Sequence, residues 1–143
     1  MDTTEAPNNI LLLEDDAKDR LDLRLQLEVM GFTVYDTPNP DEAKELFVLR
    51  DYVCVLIHVS HLPLRGLEIC RWVRSESTVP IIMFTSRDEV VNEQMCLNAG
   101  ADDYVTKPIE SRILTSRIGQ QVKRGESQRA PRATLLSWGP LAM

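Results

Sequence analysis

The sequence predicts an α/β domain in which a central five-stranded parallel sheet is doubly wound, with helices on both faces. Two observations predict this class. Short apolar runs alternate along the chain with longer segments rich in helix-forming residues. Five such strand–helix pairs fit into about 120 residues, which implies parallel βαβ units joined by right-handed crossovers.

The first half of the chain contains two strand–helix units. Residues 9–13, NILLL, form an apolar run that ends in acids, which is typical of a strand buried on both faces of a parallel sheet. Residues 32–35, FTVY, are aromatic and β-branched and predict the second strand. A helix over 39–49 follows, because Asn39 and Pro40 suit the N-cap and first-turn positions.

The segment between these strands, residues 18–30, is ambiguous. Its leucines alternate with polar residues, and this period alone indicates a strand. We predict a helix, because the segment is too long for a typical strand and its Leu, Arg, Gln and Glu favour helices. Asp16 supplies a start signal and Gly31 a stop signal.

The second half contains the other three units. Residues 52–57, YVCVLI, form the clearest buried strand, and 79–84 and 103–106 predict the fourth and fifth strands. The predicted helices are 67–74, after a loop containing Pro63 and Gly66; 88–98, ended by Gly100; and 111–124.

Composition limits the class of protein. The 143 residues suffice for one domain, and 43% hydrophobic and 27% charged residues are ordinary for a soluble globular protein. No apolar run approaches the roughly 20 residues that cross a bilayer, and the N-terminus lacks a signal-peptide pattern. We therefore expect a cytoplasmic protein that does not bind membranes. The net charge of −6 is opposite in sign to that of a nucleic-acid-binding domain.

The three cysteines, Cys54, Cys70 and Cys96, are widely spaced within apolar patterns. This spacing fits neither a disulfide framework nor a metal site. We expect buried thiols that pack as small hydrophobes. Redox sensing is the alternative, and it would require an exposed thiol with a lowered pKa.

Polar residues follow four of the five predicted strands. Because ligands bind at the carboxyl ends of strands in such sheets, these residues are the candidate site. They are Glu14 and Asp15 after the first strand, His58 after the third, Thr85 and Ser86 after the fourth, and Lys107 after the fifth.

Three segments, NNILLLEDD, VPIIMFTS and GADDYVTKP, resemble the signature segments of response-regulator receiver domains. The similarity covers roughly residues 9–124 and implies the flavodoxin-like (βα)5 fold. In that family the acids that match Glu14 and Asp15 help to bind Mg²⁺. The resemblance further implies that Thr85 and Lys107 contact a phosphoryl group.

Two more features come from the resemblance. The aromatic residue that matches Tyr104 rotates on activation, so Thr85 and Tyr104 are the expected switch pair. The family often holds the bond that matches Lys107–Pro108 in the cis form.

His58 departs from the family pattern, because the resemblance places it at the position of the phosphate-accepting aspartate. No acidic residue lies between Asp51 and Glu68, so a shift in register supplies no substitute. Glu14, Asp15 and Lys107 give the pocket a formal charge of −1 with a neutral imidazole. Imidazole is also a poor Mg²⁺ ligand. We therefore expect weak or lost Mg²⁺ binding and no ordinary phosphorylation.

The sequence is compatible with three roles for His58. It could fill the pocket as a hydrogen-bonded side chain, act as a charge-state switch, or accept a phosphoryl group itself. Glu14 and Asp15 would raise its pKa, whereas Lys107 and burial would lower it. The sign of the sum is not determined by the sequence.

The segment GADDYVTKP and the helix ILTSRIGQQVKRG also resemble the OmpR/PhoB-like subgroup. In that subgroup the face formed by helix 4, strand 5 and helix 5 mediates symmetric dimers, which implies a homodimer here. Glu93 and Ile113 stand where the subgroup has a base and an acid, and a solvated charged face is the alternative. The residues expected on this dimer face are Asp102, Asp103, Ile113, Arg117 and Arg124.

We predict a receiver domain over 1–124 and a linker over 125–143. The end of that segment, RATLLSWGPLAM, resembles the first strand of a winged-helix DNA-binding domain, which implies DNA as a partner through a C-terminal domain outside this chain.

The predicted function is regulation of transcription without aspartyl phosphorylation, and a histidine kinase partner is left open. A stand-alone interaction adaptor is the alternative. An enzyme is disfavoured, since no Gly-rich phosphate loop and no nucleophile–base pair is apparent.

Overall fold

Strands and helices alternate through the molecule as predicted. A computed structural model describes residues 8–58, 60, 61, 63–86 and 89–138, with the backbone alone for 126–138. The strands are β1 (Asn9–Glu14), β2 (Thr33–Thr37), β3 (Cys54–His58), β4 (Ile81–Thr85) and β5 (Asp103–Thr106). The helices are α1 (Ala17–Val29), α2 (Pro40–Leu49), α3 (Pro63–Glu76), α4 (Glu93–Asn98) and α5 (Ser111–Trp138).

The five strands form one parallel sheet in the order β2-β1-β3-β4-β5. This confirms the predicted flavodoxin-like fold. Because all the strands are parallel, their carboxyl ends meet at one edge, where Glu14 on β1 is paired in register with His58 on β3.

The core lies on both faces of the sheet, because successive side chains of a strand point to opposite faces. Leu11 and Leu13 of β1 join the cluster beneath α2, α3 and α4. Ile10 and Leu12 join the cluster beneath α1 and α5. Both clusters are apolar, which explains why the strands read as continuous hydrophobic runs.

The ambiguous segment is a helix, as predicted. The side chain of Asp16 caps the first turn of α1, and Gly31, with a φ of 99°, follows its end. Leu23 and Leu27 are buried four residues apart on one helical face, whereas Leu21 is exposed. The alternating leucines therefore lie on a helix, two of them on its buried side and others on its exposed side.

Two helix starts differ from the prediction. Helix α3 begins at Pro63 and not at residue 67, because proline is accepted in a first helical turn. Helix α4 begins at Glu93 and not at residue 88. Asn92 caps its first turn, and the β-branched pair Val90 and Val91, which disfavours a helix, precedes this cap. The other predicted bounds, α5 excepted, agree within two residues.

The predicted end of the last helix at Arg124 is wrong. Helix α5 continues to Trp138, through residues assigned to a linker and, from their resemblance, to a strand. The stretch 126–130, ESQRA, contains strong helix formers that outweigh the stop signal of Gly125. Residues 139–143 lie outside the described chain, and the second domain stays a prediction.

Candidate functional site

The predicted site residues lie together at the carboxyl edge of the sheet. Glu14, His58 and Thr85 are the last residues of β1, β3 and β4, while Asp15 and Lys107 follow β1 and β5. Glu14 is fully buried and His58 is 3% exposed, so the centre of this pocket is shielded from solvent.

His58 is held between two carboxylates. Its Nδ1 lies 2.8 Å from Oε2 of Glu14, and its Nε2 lies 2.7 Å from Oε2 of Glu89. Glu89 belongs to the connection between β4 and α4, which the sequence assigned to a helix. The imidazole therefore joins β1, β3 and the β4–α4 connection.

Lys107 supplies the positive charge of the pocket. Its Nζ donates hydrogen bonds to Glu14 and, over 2.8 Å, to Oδ2 of Asp19 in the first turn of α1. The same Nζ lies 2.9 Å from Nδ1 of His58. The peptide bond before Pro108 is cis, as the resemblance implied.

The surroundings of His58 settle the direction of its pKa. Burial lowers the pKa, but the hydrogen bonds that the ring donates to Glu14 and Glu89 outweigh both burial and the charge of Lys107. The pKa of His58 therefore lies above its ordinary value. The two carboxylates that raise the pKa are Glu14 and Glu89. The expectation that Asp15 would act together with Glu14 is wrong, because Glu89 takes that place.

Asp15 instead holds the loop after β3. Its carboxylate accepts hydrogen bonds from the backbone N–H groups of Ser60 and His61 and from the hydroxyl of Ser60. Nδ1 of His61 lies 3.0 Å from Oδ2 of Asp15. Burial acts to raise the pKa of Asp15, but these hydrogen bonds hold it well below its usual range.

The pocket is more acidic than the sequence count indicated. Two further carboxylates join the predicted pair, and all four lie at or beside Lys107 and His58. Together with Lys107 they give a formal charge of −3 when His58 is neutral and −2 when it is protonated. The acids are Glu14, Asp15, Asp19 and Glu89. The formal charge of −1 expected from Glu14, Asp15 and Lys107 is therefore corrected to −3.

The donor set does not suit the Mg²⁺ ion that the family implies. Glu14, Asp15 and His58 each offer one ligand atom, and these atoms lie within 4.8 Å of one another. Mg²⁺ prefers oxygen ligands in an octahedral array, whereas one of these three donors is an imidazole nitrogen.

The expected switch residues are in contact. The Thr85 hydroxyl donates a hydrogen bond of 2.8 Å to the hydroxyl of Tyr104 on β5. Thr85 is buried at the end of β4, and Tyr104 is half-buried. The contact joins the pocket to the strand beside α5.

The residues of the expected dimer face also lie close together, although their charges pair within one protomer. Arg117 on α5 lies 2.6 Å from Asp103, and Asp102 lies 2.6 Å from Arg74 of α3. Arg124 lies 4.0 Å from Asp102. Ile113 is on α5 one turn before Arg117 and is 39% exposed.

All three cysteines are buried, as predicted. Burial raises the pKa of Cys70 to about 12 and that of Cys96 to about 11, and it raises the pKa of Cys54 as well. None of them has the exposure and lowered pKa that a redox-sensing thiol needs.

Sequence reasoning missed three residues of the pocket: Asp19, His61 and Glu89. Asp19 had a usable signal, because the first turn of a helix that follows a strand lies over the same edge of the sheet. His61 lies three residues beyond His58 in a loop. Glu89 had no local signal, since only the packing of the β4–α4 connection brings it to His58.

A sheet of this order, with acids, a hydroxyl and a lysine at its carboxyl edge, defines the receiver class of signalling domain. A model of the response regulator receiver domain matches residues 10–119. The chain belongs to this family. Among the helices of the described residues, none is long and apolar enough to span a membrane.

Individual relatives agree with this assignment. The transcriptional regulatory protein CseB of Streptomyces avermitilis is 35% identical over 93% of this chain and 61% of its own length. The transcriptional regulatory protein SrrA of Staphylococcus aureus is 31% identical over 84% of this chain and 50% of its own length. The receiver domain of TorR, the response regulator of the TMAO respiratory system, superposes with a TM-score of 0.75 at 31% identity, covering 82% of this chain and 98% of that receiver-domain chain.

Proposed function

We propose that this chain is the receiver domain of a cytoplasmic, non-enzymatic regulator of transcription that switches without aspartyl phosphorylation. His58, at the end of β3, carries the proposal, because this is the position that the resemblance assigns to the acceptor. An acyl phosphate requires a carboxylate nucleophile, which imidazole cannot replace. Both ring nitrogens are also engaged, one by Glu14 and the other by Glu89.

The relatives support the transcriptional part of the proposal. CseB and SrrA are named transcriptional regulatory proteins, and this chain spans between half and about three-fifths of their lengths. DNA would be contacted by a C-terminal domain, since the net charge of −6 does not suit DNA binding by this chain itself.

Incubation with acetyl phosphate and Mg²⁺, followed by intact-mass measurement, tests phosphorylation independence. The wild-type chain should gain no phosphoryl group, whereas His58→Asp, which restores a carboxylate, provides the matched positive control. Stoichiometric labelling of the wild type would overturn the proposal. A label that survives base but not acid would assign it to a phosphohistidine.

The output surface in this proposal is the face formed by α4, β5 and α5, used for a homodimer. Ile113 is exposed there in place of an acid, so an apolar contact could form between copies without activation. Asp102 and Asp103 already pair with arginines of their own protomer.

Light scattering over a range of concentrations tests the dimer. Ile113→Glu should shift the equilibrium toward monomer, whereas Leu25→Glu, at an exposed position of α1, should not. Equal behaviour of the two variants would remove this face from the proposal.

A further inference from the structure

We propose that the pocket binds a divalent transition-metal ion of the Zn²⁺ type, with Nδ1 of His58 and the carboxylates of Glu14 and Asp15 as ligands. The inference goes beyond the proposed function, because it concerns which ion the pocket selects. The ion differs in class from Mg²⁺, because one of the three donors is an imidazole nitrogen.

The three ligand atoms are close enough for one ion. They lie within 4.8 Å of one another, and Zn²⁺ is held at about 2.0 to 2.2 Å from nitrogen and carboxylate oxygen, so small side-chain movements suffice. Imidazole is a preferred ligand of Zn²⁺ and other late first-row ions. The mixed nitrogen and oxygen donors therefore favour this class over Mg²⁺ or Ca²⁺.

Glu89 provides a second, independent indication. A metal-bound histidine usually donates its other ring N–H to a carboxylate, which fixes the tautomer and orients the ring. Nε2 of His58 lies 2.7 Å from Glu89, on the side of the ring opposite Glu14. With the proton on Nε2, Nδ1 keeps a lone pair that faces Glu14 and Lys107.

His61 offers a fourth donor. Its Nδ1 already lies 3.0 Å from Oδ2 of Asp15, and its side chain is 81% exposed, so rotation costs few packing contacts. A site with two histidines and two carboxylates completes the fourfold coordination that Zn²⁺ prefers.

The ammonium group of Lys107 lies against two of the proposed ligands. Its Nζ contacts both Glu14 and Nδ1 of His58, so metal binding has to move this ammonium away. Asp19 can keep it, because its Oδ2 already lies 2.8 Å from Nζ. The formal charge of −3 with neutral His58 leaves an ion with two positive charges electrostatically favoured even beside Lys107.

Calorimetric titration of the metal-free chain with Zn²⁺ and with Mg²⁺ tests the inference, and Co²⁺ absorption reports the coordination. We expect one Zn²⁺ per chain, bound at least about 100-fold more tightly than Mg²⁺. Glu89→Gln should weaken Zn²⁺ binding by about 10- to 100-fold, as loss of a supporting carboxylate does. Lys107→Met should strengthen it.

The control variant is His58→Asp, which replaces the nitrogen donor with a carboxylate and adds one negative charge to the pocket. It should lose Zn²⁺ preference and gain Mg²⁺ affinity, with circular dichroism verifying the fold. Equal Zn²⁺ affinity of wild type and His58→Asp, or preference of the wild type for Mg²⁺, would overturn the inference. No phosphate donor is present, so failure here leaves the phosphorylation test untouched.

Discussion

Nε2 of His58 and Oε2 of Glu89 lie 2.7 Å apart, and this pair connects the end of β3 to the segment that precedes α4. In the same ring, Nδ1 faces Glu14 of β1. An imidazolium can donate to both carboxylates at once, whereas a neutral ring can donate to only one of them. The protonation state of His58 therefore determines how many of these segments it can join.

Glu89→Gln should lower the pKa of His58, because a charged hydrogen-bond acceptor is replaced by a neutral one. Titration of the imidazole by NMR, with EDTA present to exclude metal ions, measures this pKa. Glu93→Gln, at an exposed position of α4, is the matched control and should leave it unchanged. A pKa equal to that of the wild type in Glu89→Gln would show that the contact does not form in solution.

The stability of the domain should decrease with rising pH through His58. Its pKa is raised on folding, so its contribution is fully present below the unfolded value of about 6.5 and is lost as the pH rises through the folded value. Each unit of difference corresponds to about 1.4 kcal/mol. Urea unfolding at pH 6 and pH 9 in EDTA should show a larger loss for the wild type than for His58→Gln, and parallel curves would contradict this.

The contact between Thr85 and Tyr104 should be detectable as a coupling energy. Thr85→Val and Tyr104→Phe each remove one hydroxyl and should cost about 1 kcal/mol of unfolding free energy. Once one hydroxyl is gone, loss of the other should cost less, because the hydrogen bond is already absent. Additive losses in the double variant would indicate that the two hydroxyls do not interact.

Asp102 should act within the protomer, whatever its part in a dimer. Its Oδ2 accepts hydrogen bonds from Arg74 and from the backbone N–H of Ile81. Asp102→Asn should therefore cost about 1 to 2 kcal/mol in urea unfolding. Arg124→Ala removes a weak pair at 4.0 Å and a hydrogen bond of 3.2 Å to Gln121 on its own helix, and should cost less than Asp102→Asn. The reverse order would be inconsistent with the structure.

Substitutions of leucine on the buried and the exposed sides of α1 should differ sharply in their effect on stability. Leu27→Ala removes a fully buried side chain and should cost about 2 to 5 kcal/mol, whereas Leu25 is half exposed and its replacement by alanine should be close to neutral. Thermal unfolding of both variants tests the helix directly. Similar losses at the two positions would favour the strand that the alternating pattern indicated.

Local patterns predicted most of the fold because apolar runs and capping residues act over a few neighbours. Asn39 and Asp16 cap the helices at the expected places for this reason. The end of α5 was missed, since Gly125 is a stop signal only when the following residues do not favour a helix. In the site, the strand ends were predictable from topology, whereas Glu89 depends on tertiary packing that no local pattern encodes.

The contacts of Lys107 also bear on the order in which the domain folds. Its contacts with Glu14, Asp19 and His58 span 93, 88 and 49 residues of chain. Contacts between distant residues form slowly, because the loops between them must close first. The charged centre can therefore form only after β1, β3 and β5 have been incorporated into the sheet. Its formation is accordingly a late step in folding.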